Sequence, residues 1–510
     1  MTGPAGPNHV REGLNARRFV LTIELATPNA AVPFEHAIRP LLALARDIRD
    51  DSRIDAIALT DRSRSDHDHD PIAAAHRVAE QSGKIPIVHW AGKDRTLSRL
   101  DDDMRRAGSL GLANFLLVTG DKVRQQPVDR PVRYVDSVNA LAAVRHRSPE
   151  FLLAAAVSPF KYHEEELVNQ YLKAIKKLRA GADLLITQIG WDQRKYEDLR
   201  RFLLSGGYDA PLIAEVLLLT PARGRRIRRF GLPGVTITAD LAQRLEEAAG
   251  TPDDGRGFAF RLLALQILNV RDLGYSGAQV SGIGGYPGVT RLMDDIEMMS
   301  REFPTPEARQ GAWRELLLLR DGRTAQIAPA GGLYLSAPEE MSGHYGSTGA
   351  RAEASEWIKY RSMDLIDRLF FAEEGIGARA LAPMLRRLDP RSGAGDLLLR
   401  LERTIKSPLV GCRTCGFCRL PHTSYVCPET CPKGLANGPC GGTRDNVCEF
   451  GDRECVHNQI YRISKRAGHL SDLEEVLIPS VPEAAWDSCS WVTHFRGEGP
   501  QARRLPTTET

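Results

Sequence analysis

Hydrophobic and polar positions divide the chain from Phe19 onward into two alternating kinds of segment. Short runs are apolar on both faces, as the strands of a buried parallel sheet must be, and the longer runs between them are amphipathic with helical spacing. The clearest helical runs are Glu35–Ile48, Glu164–Ala180, Asp192–Leu204 and Phe258–Leu273. The runs predicted as strands are Phe19–Leu25, Ile54–Thr60, Ile85–Trp90, Asn114–Gly120, Phe151–Val157, Asp183–Ile189, Pro211–Leu219 and Ala278–Ile283.

This alternation predicts an α/β fold, a (β/α)8 TIM barrel. A doubly wound open sheet gives a similar pattern, but no Gly-x-Gly-x-x-Gly motif follows the first predicted strand, which favours the barrel. A barrel presents its functional side chains at the carboxyl ends of its strands. Polar groups stand at these predicted ends: Glu24, Thr60 with Asp61, His89, Thr119-Gly120-Asp121 and Thr187-Gln188.

The remainder of the chain is predicted to form a connector and a small domain. We expect a disordered tail over 1–16, the barrel over 17–300, a loop and helical connector over 301–400, a cysteine-rich domain over 401–496 and a second disordered tail over 497–510. Amphipathic helices are predicted at Glu353–Phe371 and Ala378–Arg387. Apolar side chains of the first helix are expected to pack on the barrel: Trp357, Ile358, Met363, Leu365, Ile366, Leu369 and Phe370.

Cysteines are concentrated in one stretch, because eight of the nine lie between Cys412 and Cys455. Such a dense stretch either holds metal or is cross-linked by disulfides. The Cys-x-x-Cys-x-x-Cys triplet is typical of a [4Fe–4S] cluster, whereas zinc prefers paired Cys-x-x-Cys or Cys/His ligands, and His422 and His457 are near. Cys489 is predicted to be a packed thiol. The predicted metal ligands are Cys412, Cys415, Cys418, Cys427, Cys431, Cys440, Cys448 and Cys455.

Composition narrows the class of protein. The chain is 26% charged with a net charge of +3, and no basic block indicates a nucleic-acid partner. The first fifteen residues lack the apolar core of a secretory signal, and no window approaches the ~20 apolar residues of a membrane span. We therefore expect a cytoplasmic protein without a membrane partner. Thiols stay reduced in that compartment, which favours metal over disulfides.

Three motifs resemble methylenetetrahydrofolate reductase, a flavin-dependent (β/α)8 barrel, over roughly residues 17–300. They are Glu24 within Ile-Glu-Leu-Ala-Thr-Pro, the segment Val118-Thr119-Gly120-Asp121, and the block Ala180-Gly181-Ala182-Asp183 with Thr187-Gln188. The resemblance implies that Glu24 is the general acid for the pterin N10 and that Asp121 stands near flavin N1 and the pterin ring. It also implies that Gln188 contacts the pterin. The implied flavin contacts are Thr60, His89, Thr119, Gly120, Asp121 and Lys177.

Two departures leave parts of this expectation open. The family's Leu-Arg-Gly-Asp reads Val118-Thr119-Gly120-Asp121 here, so a cationic contact to the flavin is missing. The last predicted strand ends in Gly282-Ile283-Gly284-Gly285 in place of Asn-Arg. The resemblance implies FAD, and these departures leave FMN open as the alternative. The redox partner is either NAD(P)H or an electron-transfer protein, and a homo-oligomer stays open.

The cysteine stretch closely resembles a second family, the C-terminal cysteine-rich domain that accompanies some methylenetetrahydrofolate reductases. The resemblance covers roughly residues 401–466. Its matching motifs are Cys427-Pro428-x-x-Cys431-Pro432-Lys433 and Asn437-Gly438-Pro439-Cys440-Gly441-Gly442. Together the two resemblances imply an oxidoreductase that interconverts 5,10-methylene- and 5-methyltetrahydrofolate and carries an iron–sulfur or zinc module. The alternative is a folate-binding scaffold or docking protein without turnover.

Overall fold

The computed structural model describes residues 6–63, 65–124, 131–335, 349–372 and 374–506. The predicted barrel is confirmed: eight parallel strands pair in sequence order, and the last closes on the first. Each strand lies within a run predicted as a strand or extends one residue beyond it. The strands are β1 Val20–Ala26, β2 Ala56–Thr60, β3 Ile87–Ala91, β4 Asn114–Val118, β5 Leu152–Val157, β6 Leu184–Thr187, β7 Leu212–Leu217 and β8 Gly277–Ser281.

Helices surround the barrel, and the predicted run Glu35–Ile48 forms two of them. Pro40 is the second residue of the longer one, where its missing N–H and fixed φ suit a helix start rather than a helix interior. The helices are α1 His9–Asn15, α2 Phe34–Ala37, α3 Arg39–Asp47, α4 Pro71–Ser82, α5 Leu97–Ser109, α6 Ser137–Arg147, α7 Glu164–Arg179, α8 Gln193–Ser205, α9 Pro221–Phe230, α10 Ala239–Ala249, α11 Arg256–Asp272, α12 Tyr286–Glu302 and α13 Pro306–Leu316.

The C-terminal region begins with three helices and continues as a loop-rich segment that carries the cysteines. The third helix, which the hydrophobic pattern did not predict, ends at Gly411 in a left-handed cap (φ +65°) directly before Cys412. Its elements are α14 Ala354–Phe370, α15 Ile376–Leu385, α16 Gly393–Val410, α17 Val456–Ala467, α18 Asp472–Glu475, α19 Ser490–Phe495, and the short antiparallel strands β9 Val476–Leu477 and β10 Arg503–Arg504. Across the described ranges, no helix is long and apolar enough to span a membrane.

Both expected disordered tails are in part ordered, so that expectation is wrong. Residues 9–15 form α1, because Val10 (0% exposed) and Leu14 pack against the apolar core inside the barrel. At the other end, β10 pairs with β9, and Leu505 is buried against the outer core. Residues 1–5 and 507–510 lie outside the described residues.

The expectation that α14 packs on the barrel is also wrong. Trp357 and Met363 pack against the core of the cysteine-rich region instead. The remaining apolar side chains of the predicted set are between 39% and 65% exposed: Ile358, Leu365, Ile366, Leu369 and Phe370. An amphipathic pattern predicts that a helix buries apolar side chains, but it does not predict which neighbouring element they pack against.

Candidate active site

A cavity of about 300 Å³ opens at the carboxyl ends of the barrel strands. Strand ends meet at this face in every (β/α)8 barrel, so residues far apart in sequence converge there. All eight barrel positions singled out from the sequence line this one cavity: Glu24, Thr60, His89, Thr119, Gly120, Asp121, Lys177 and Gln188.

Glu24 lies on β1 and shares a hydrogen-bond donor with a second glutamate. The amide of Gln279 on β8 donates to Glu24 Oε2 at 3.2 Å and to Glu215 Oε2 on β7 at 2.7 Å. Burial, and then the charge of Glu24, raise the pKa of Glu215 well above its usual range. Neither Glu215 nor Gln279 was predicted from the sequence, although a charged or polar residue inside an apolar strand run is a signal for a functional side chain.

The positions implied as flavin contacts form one wall of the cavity. Burial lowers the pKa of His89 to about 4, so its ring is neutral, and its Nε2 has no hydrogen-bond partner within the described ranges. Thr60 Oγ1 lies 2.7 Å from Ser63 Oγ. Gly120 has φ +86°, and a Cβ at this position would lie 3.2 Å from Ala91 Cβ. Glycine at this position therefore lets the loop after β4 pack closely against Ala91 at the end of β3.

Two charged side chains of the cavity have shifted pKa values. Asp121 is exposed at the cavity rim, but the surrounding protein displaces water from its carboxyl. This desolvation raises the pKa of Asp121, and the charge of Lys433 opposes the rise. Lys177 is buried and donates to the carbonyl of Ala156 at 2.5 Å. Burial and the neighbouring charge of Lys173 lower the pKa of Lys177 to about 7.

Gln188 follows β6 and is held on both sides of its amide. Its Oε1 accepts from the backbone N–H of Ile189 at 2.8 Å, and its Nε2 donates to the carbonyl of Pro233 at 3.2 Å. The side chain is therefore fixed at the cavity by its own backbone neighbour and by the loop that follows α9.

The cysteine-rich region forms the roof of the same cavity, which the sequence did not indicate. Residues 439–442, together with Lys433 and Glu449, line it. The Lys433 ammonium donates to the carbonyl of Gly120 at 2.8 Å, and the backbone N–H of Lys122 donates to Glu449 Oε1 at 2.7 Å. Both contacts join the roof to the loop that bears Asp121.

Helix α7 holds this roof through polar side chains that are almost completely buried. Asn169 donates to the carbonyl of His457 at 2.8 Å, Gln170 to that of Cys440 at 2.7 Å and Lys173 to that of Gly438 at 2.9 Å. Helices of this fold usually turn such polar groups to solvent. Here the groups satisfy backbone carbonyls of the roof, because a buried carbonyl without a partner is costly.

The eight clustered thiols are free and fall into two neighbourhoods. Cys412, Cys415, Cys418 and Cys427 line one small cavity, where Cys427 neighbours Cys412 and Cys418, and Cys415 neighbours Cys418. We name these four the distal thiols. Cys431, Cys440 and Cys448 are the cysteine neighbours of Cys455, and we name these four the proximal thiols because Cys440 lines the barrel cavity.

The thiols fit a metal centre in number and type. Four cysteines are what a zinc ion or an iron–sulfur cluster takes, and the thiols carry no disulfides. Burial raises the pKa of Cys427 to about 12 and that of Cys431 to about 11, so these thiols stay protonated unless a cation binds. In the part of the chain that the structure describes, no three His, Cys, Asp or Glu side chains already stand as a metal-binding group.

The barrel, its polar cavity and the roof define the class: a (β/α)8-barrel protein whose ligand-sized cavity is covered by a C-terminal cysteine module. The chain belongs to the methylenetetrahydrofolate reductase family, since the family model described as Methylenetetrahydrofolate reductase matches residues 9–279. A second model, described as Methylene-tetrahydrofolate reductase C terminal, matches residues 393–482. The predicted combination of the two families in one chain is confirmed.

Individual relatives are distant. Methylenetetrahydrofolate reductase 2 of Saccharomyces cerevisiae is 24% identical over 216 residues, which are 40% of this chain and 35% of the yeast protein. The chain thus spans about a third of the length of that relative.

Two solved structures match the chain at low similarity. An uncharacterized protein from Clostridium thermocellum, described as binding two copies of 5-methyl-5,6,7,8-tetrahydrofolic acid, is 14% identical with a TM-score of 0.44, over 57% of this chain and 99% of that one. A 2,3-dimethylmalate lyase is 14% identical with a TM-score of 0.32, over 58% of this chain and 88% of that one.

Proposed function

We propose that this protein is a flavin-dependent oxidoreductase that interconverts 5,10-methylenetetrahydrofolate and 5-methyltetrahydrofolate. The observation that carries the proposal is the convergence of the eight motif positions on one cavity of a barrel of this family. The cavity contains a carboxyl at the end of β1, an amide fixed after β6 and an acidic rim, as proton donation and pterin binding require.

The proposed flavin site uses the wall formed by Thr60, His89, Thr119, Gly120, Asp121 and Lys177. The unpartnered Nε2 of buried His89 supports it, since a ligand would supply the missing hydrogen-bond partner. The flavin, FAD with FMN as the alternative, supplies hydride transfer when bound. The chain's own task is to hold two flat rings in contact and to exclude water.

Glu24 and Asp121 divide the proposed acid and electrostatic roles. Glu24 would hold a proton against the substrate N10, and Gln188 would orient the pterin. Asp121 at the rim would favour a substrate that carries positive charge. The pKa of Asp121 is raised, but Lys433 opposes the rise, so its ionisation depends on the roof as well as on the barrel.

The proposed cysteine module holds [4Fe–4S] clusters or zinc with the four proximal and the four distal thiols. A relay role is supported by the position of Cys440 in the cavity wall, since electron relay needs proximity to the flavin site and a structural metal does not. The physiological redox partner would be an electron-transfer protein or NAD(P)H.

Anaerobic mixing with 5-methyltetrahydrofolate tests the proposed reaction. The flavin of the purified protein should bleach and recover on addition of an acceptor. Unchanged flavin absorbance at saturating substrate would contradict the reaction and leave the scaffold alternative. Metal and acid-labile sulfide analysis of the same anaerobic preparation decides the module: iron with sulfide indicates clusters, and zinc without sulfide indicates a structural site.

A further inference from the structure

Three side chains on neighbouring strands form a chain of contacts at the floor of the cavity. Glu24 lies on β1 and Glu215 on β7, and Gln279 on β8 stands between them and donates to both carboxyls. Gln279 is 1% exposed and Glu215 is 5% exposed. Thr22 Oγ1 donates to Gln279 Oε1 at 3.5 Å, so the orientation of the bridging amide is fixed from its other side.

Few groups around Glu215 could stabilise its side chain in the ionised form. Its backbone N–H donates to Thr187 Oγ1 on β6 at 3.1 Å, while its Oε1 is buried without a hydrogen-bond partner in the described ranges. The titratable and polar groups that face this carboxyl are Glu24 from β1, Gln279 and Ser281 from β8, and Tyr196 from α8. No cation is among the groups that act on it within those ranges.

Two carboxyl groups that share one amide donor, with no cation beside the buried one, cannot both ionise cheaply. The first proton lost from such a pair leaves a negative charge that opposes loss of the second, so the protons belong to the pair rather than to either residue. A single carboxyl at the same place would lose its proton at lower pH because it has no like charge beside it.

We propose that Glu215 is a positioning residue that titrates together with Glu24 through Gln279, so that the floor of the cavity keeps a proton at neutral pH. The proposal rests on the proposed function for the role of Glu24 as acid. It adds a residue that the family motifs do not include, and it gives a reason for a charged side chain in the middle of β7. A fraction of the retained proton resides on Glu24, where the substrate can take it, and solvent in the cavity restores it afterwards.

Glu215→Gln removes the titratable proton at this position but keeps the shape of the side chain, because the amide closely matches the protonated carboxyl. The variant should bind flavin and keep most of its activity at the acidic end of its range. The alkaline limb of its kcat/KM profile should move to lower pH by about one unit or more, so that activity at neutral pH falls about tenfold. Coincident profiles of wild-type and variant protein would overturn the proposal.

Glu215→Asp is the matched control, since it keeps a carboxyl but fits the site less well than Gln does. If Glu215 acts by titration, Asp should restore part of the alkaline limb. If Glu215 only fills space or accepts a hydrogen bond, Gln should be the milder change and Asp the more harmful one. That second ranking would contradict the inference.

Infrared titration gives a readout that needs no turnover. The carbonyl stretch of a protonated carboxylic acid should persist to neutral pH in wild-type protein and should titrate at lower pH in both Glu215→Gln and Glu24→Gln, because each variant leaves one carboxyl without its partner. A band unaffected by either substitution would refute the pair. A band that responds as expected in a protein without folate turnover would support the pair and refute the proposed function, so the two failures are distinguishable.

Discussion

The barrel and its roof present functional groups to one cavity by different physical means. In the barrel, strand register places Glu24, Glu215 and Gln279 on neighbouring strands of one closed sheet, and each position follows from a repeating geometry. In the roof, residues 433–449 have no such repeat. They are positioned by single hydrogen bonds from buried side chains of α7 and by glycines with positive φ. The barrel half of the site therefore depends on the fold, and the roof half depends on a few contacts.

The largest expected effect comes from the barrel half. Glu24→Gln should lower turnover by a factor of about 10² to 10⁴, because it removes a positioned acid from the transition state. Flavin binding should be retained, since the amide keeps the shape of the side chain and Glu24 lies outside the proposed flavin wall. Rapid-mixing kinetics and flavin absorbance measure the two properties separately.

The control for this variant is Glu302→Gln on the exposed end of α12, which removes the same charge away from the cavity. Its turnover should match the wild type. Equal turnover of Glu24→Gln and wild-type protein would remove Glu24 from the mechanism.

The roof half should respond most strongly to the loss of Lys173. This buried ammonium donates to the carbonyl of Gly438 and lies 3.3 Å from Asp136 Oδ1. Lys173→Met leaves a carbonyl without its donor and a buried carboxylate without its cation, so the free energy of unfolding should fall by about 3–5 kcal/mol. Denaturant titration of the full chain measures the fall, and Arg226→Met on exposed α9 is the control that should change little.

The same contact predicts the direction of a pH effect. Burial raises the pKa of Asp136, whereas Lys173 and the Val138 N–H lower it. The lowering effects together are larger, so the folded-state pKa lies below the ordinary aspartate value. Stability from this group is present above the unfolded-state pKa of about 3.9 and is lost as pH falls through the lower folded-state value. Lys173→Met should therefore be less stable than wild type near neutral pH, and the difference should shrink in acid. A constant difference across pH would mean that the contact acts through packing alone.

The same distinction explains which features the sequence predicted. The eight strands and the polar residues at their ends follow from short apolar runs, so the barrel could be predicted from the sequence pattern. The roles of the eight site positions are implied by the family resemblance instead, and Lys177 on α7 has no signal in the strand pattern. Glu215 was overlooked because it lies inside an apolar run rather than at its end. The packing of the roof on α7 was not predicted, because Asn169, Gln170 and Lys173 have the pattern of a solvated helix face. Only the three-dimensional contact shows that they face backbone carbonyls.

Gly438 tests how closely the roof fits α7. Its φ is +112°, and an added Cβ would lie 2.9 Å from Lys173 Cδ. Gly438→Ala should cost about 1–3 kcal/mol of unfolding free energy, since it combines an unfavourable backbone with a close contact. Gly451→Ala has a positive φ of +77° but open space around it, so it should show the smaller, backbone part alone. Equal losses in the two variants would mean that the roof yields at this contact.

The smallest effect on stability is expected for an exposed side chain on α15, which belongs neither to the barrel sheet nor to the roof. Ile376 at the start of α15 is 77% exposed, whereas Val492 on α19 is fully buried in the core that α15 helps to form. Ile376→Ser should change the unfolding free energy by no more than about 0.5 kcal/mol, and Val492→Ala should cost more than 1 kcal/mol because it opens a cavity. Both are measured on the full chain at several protein concentrations. A loss for Ile376→Ser that grows as the protein is concentrated would mean that this face is covered by another copy, since mass action then contributes to stability. A small loss at every concentration agrees with a helix whose apolar pattern exceeds what its neighbours bury.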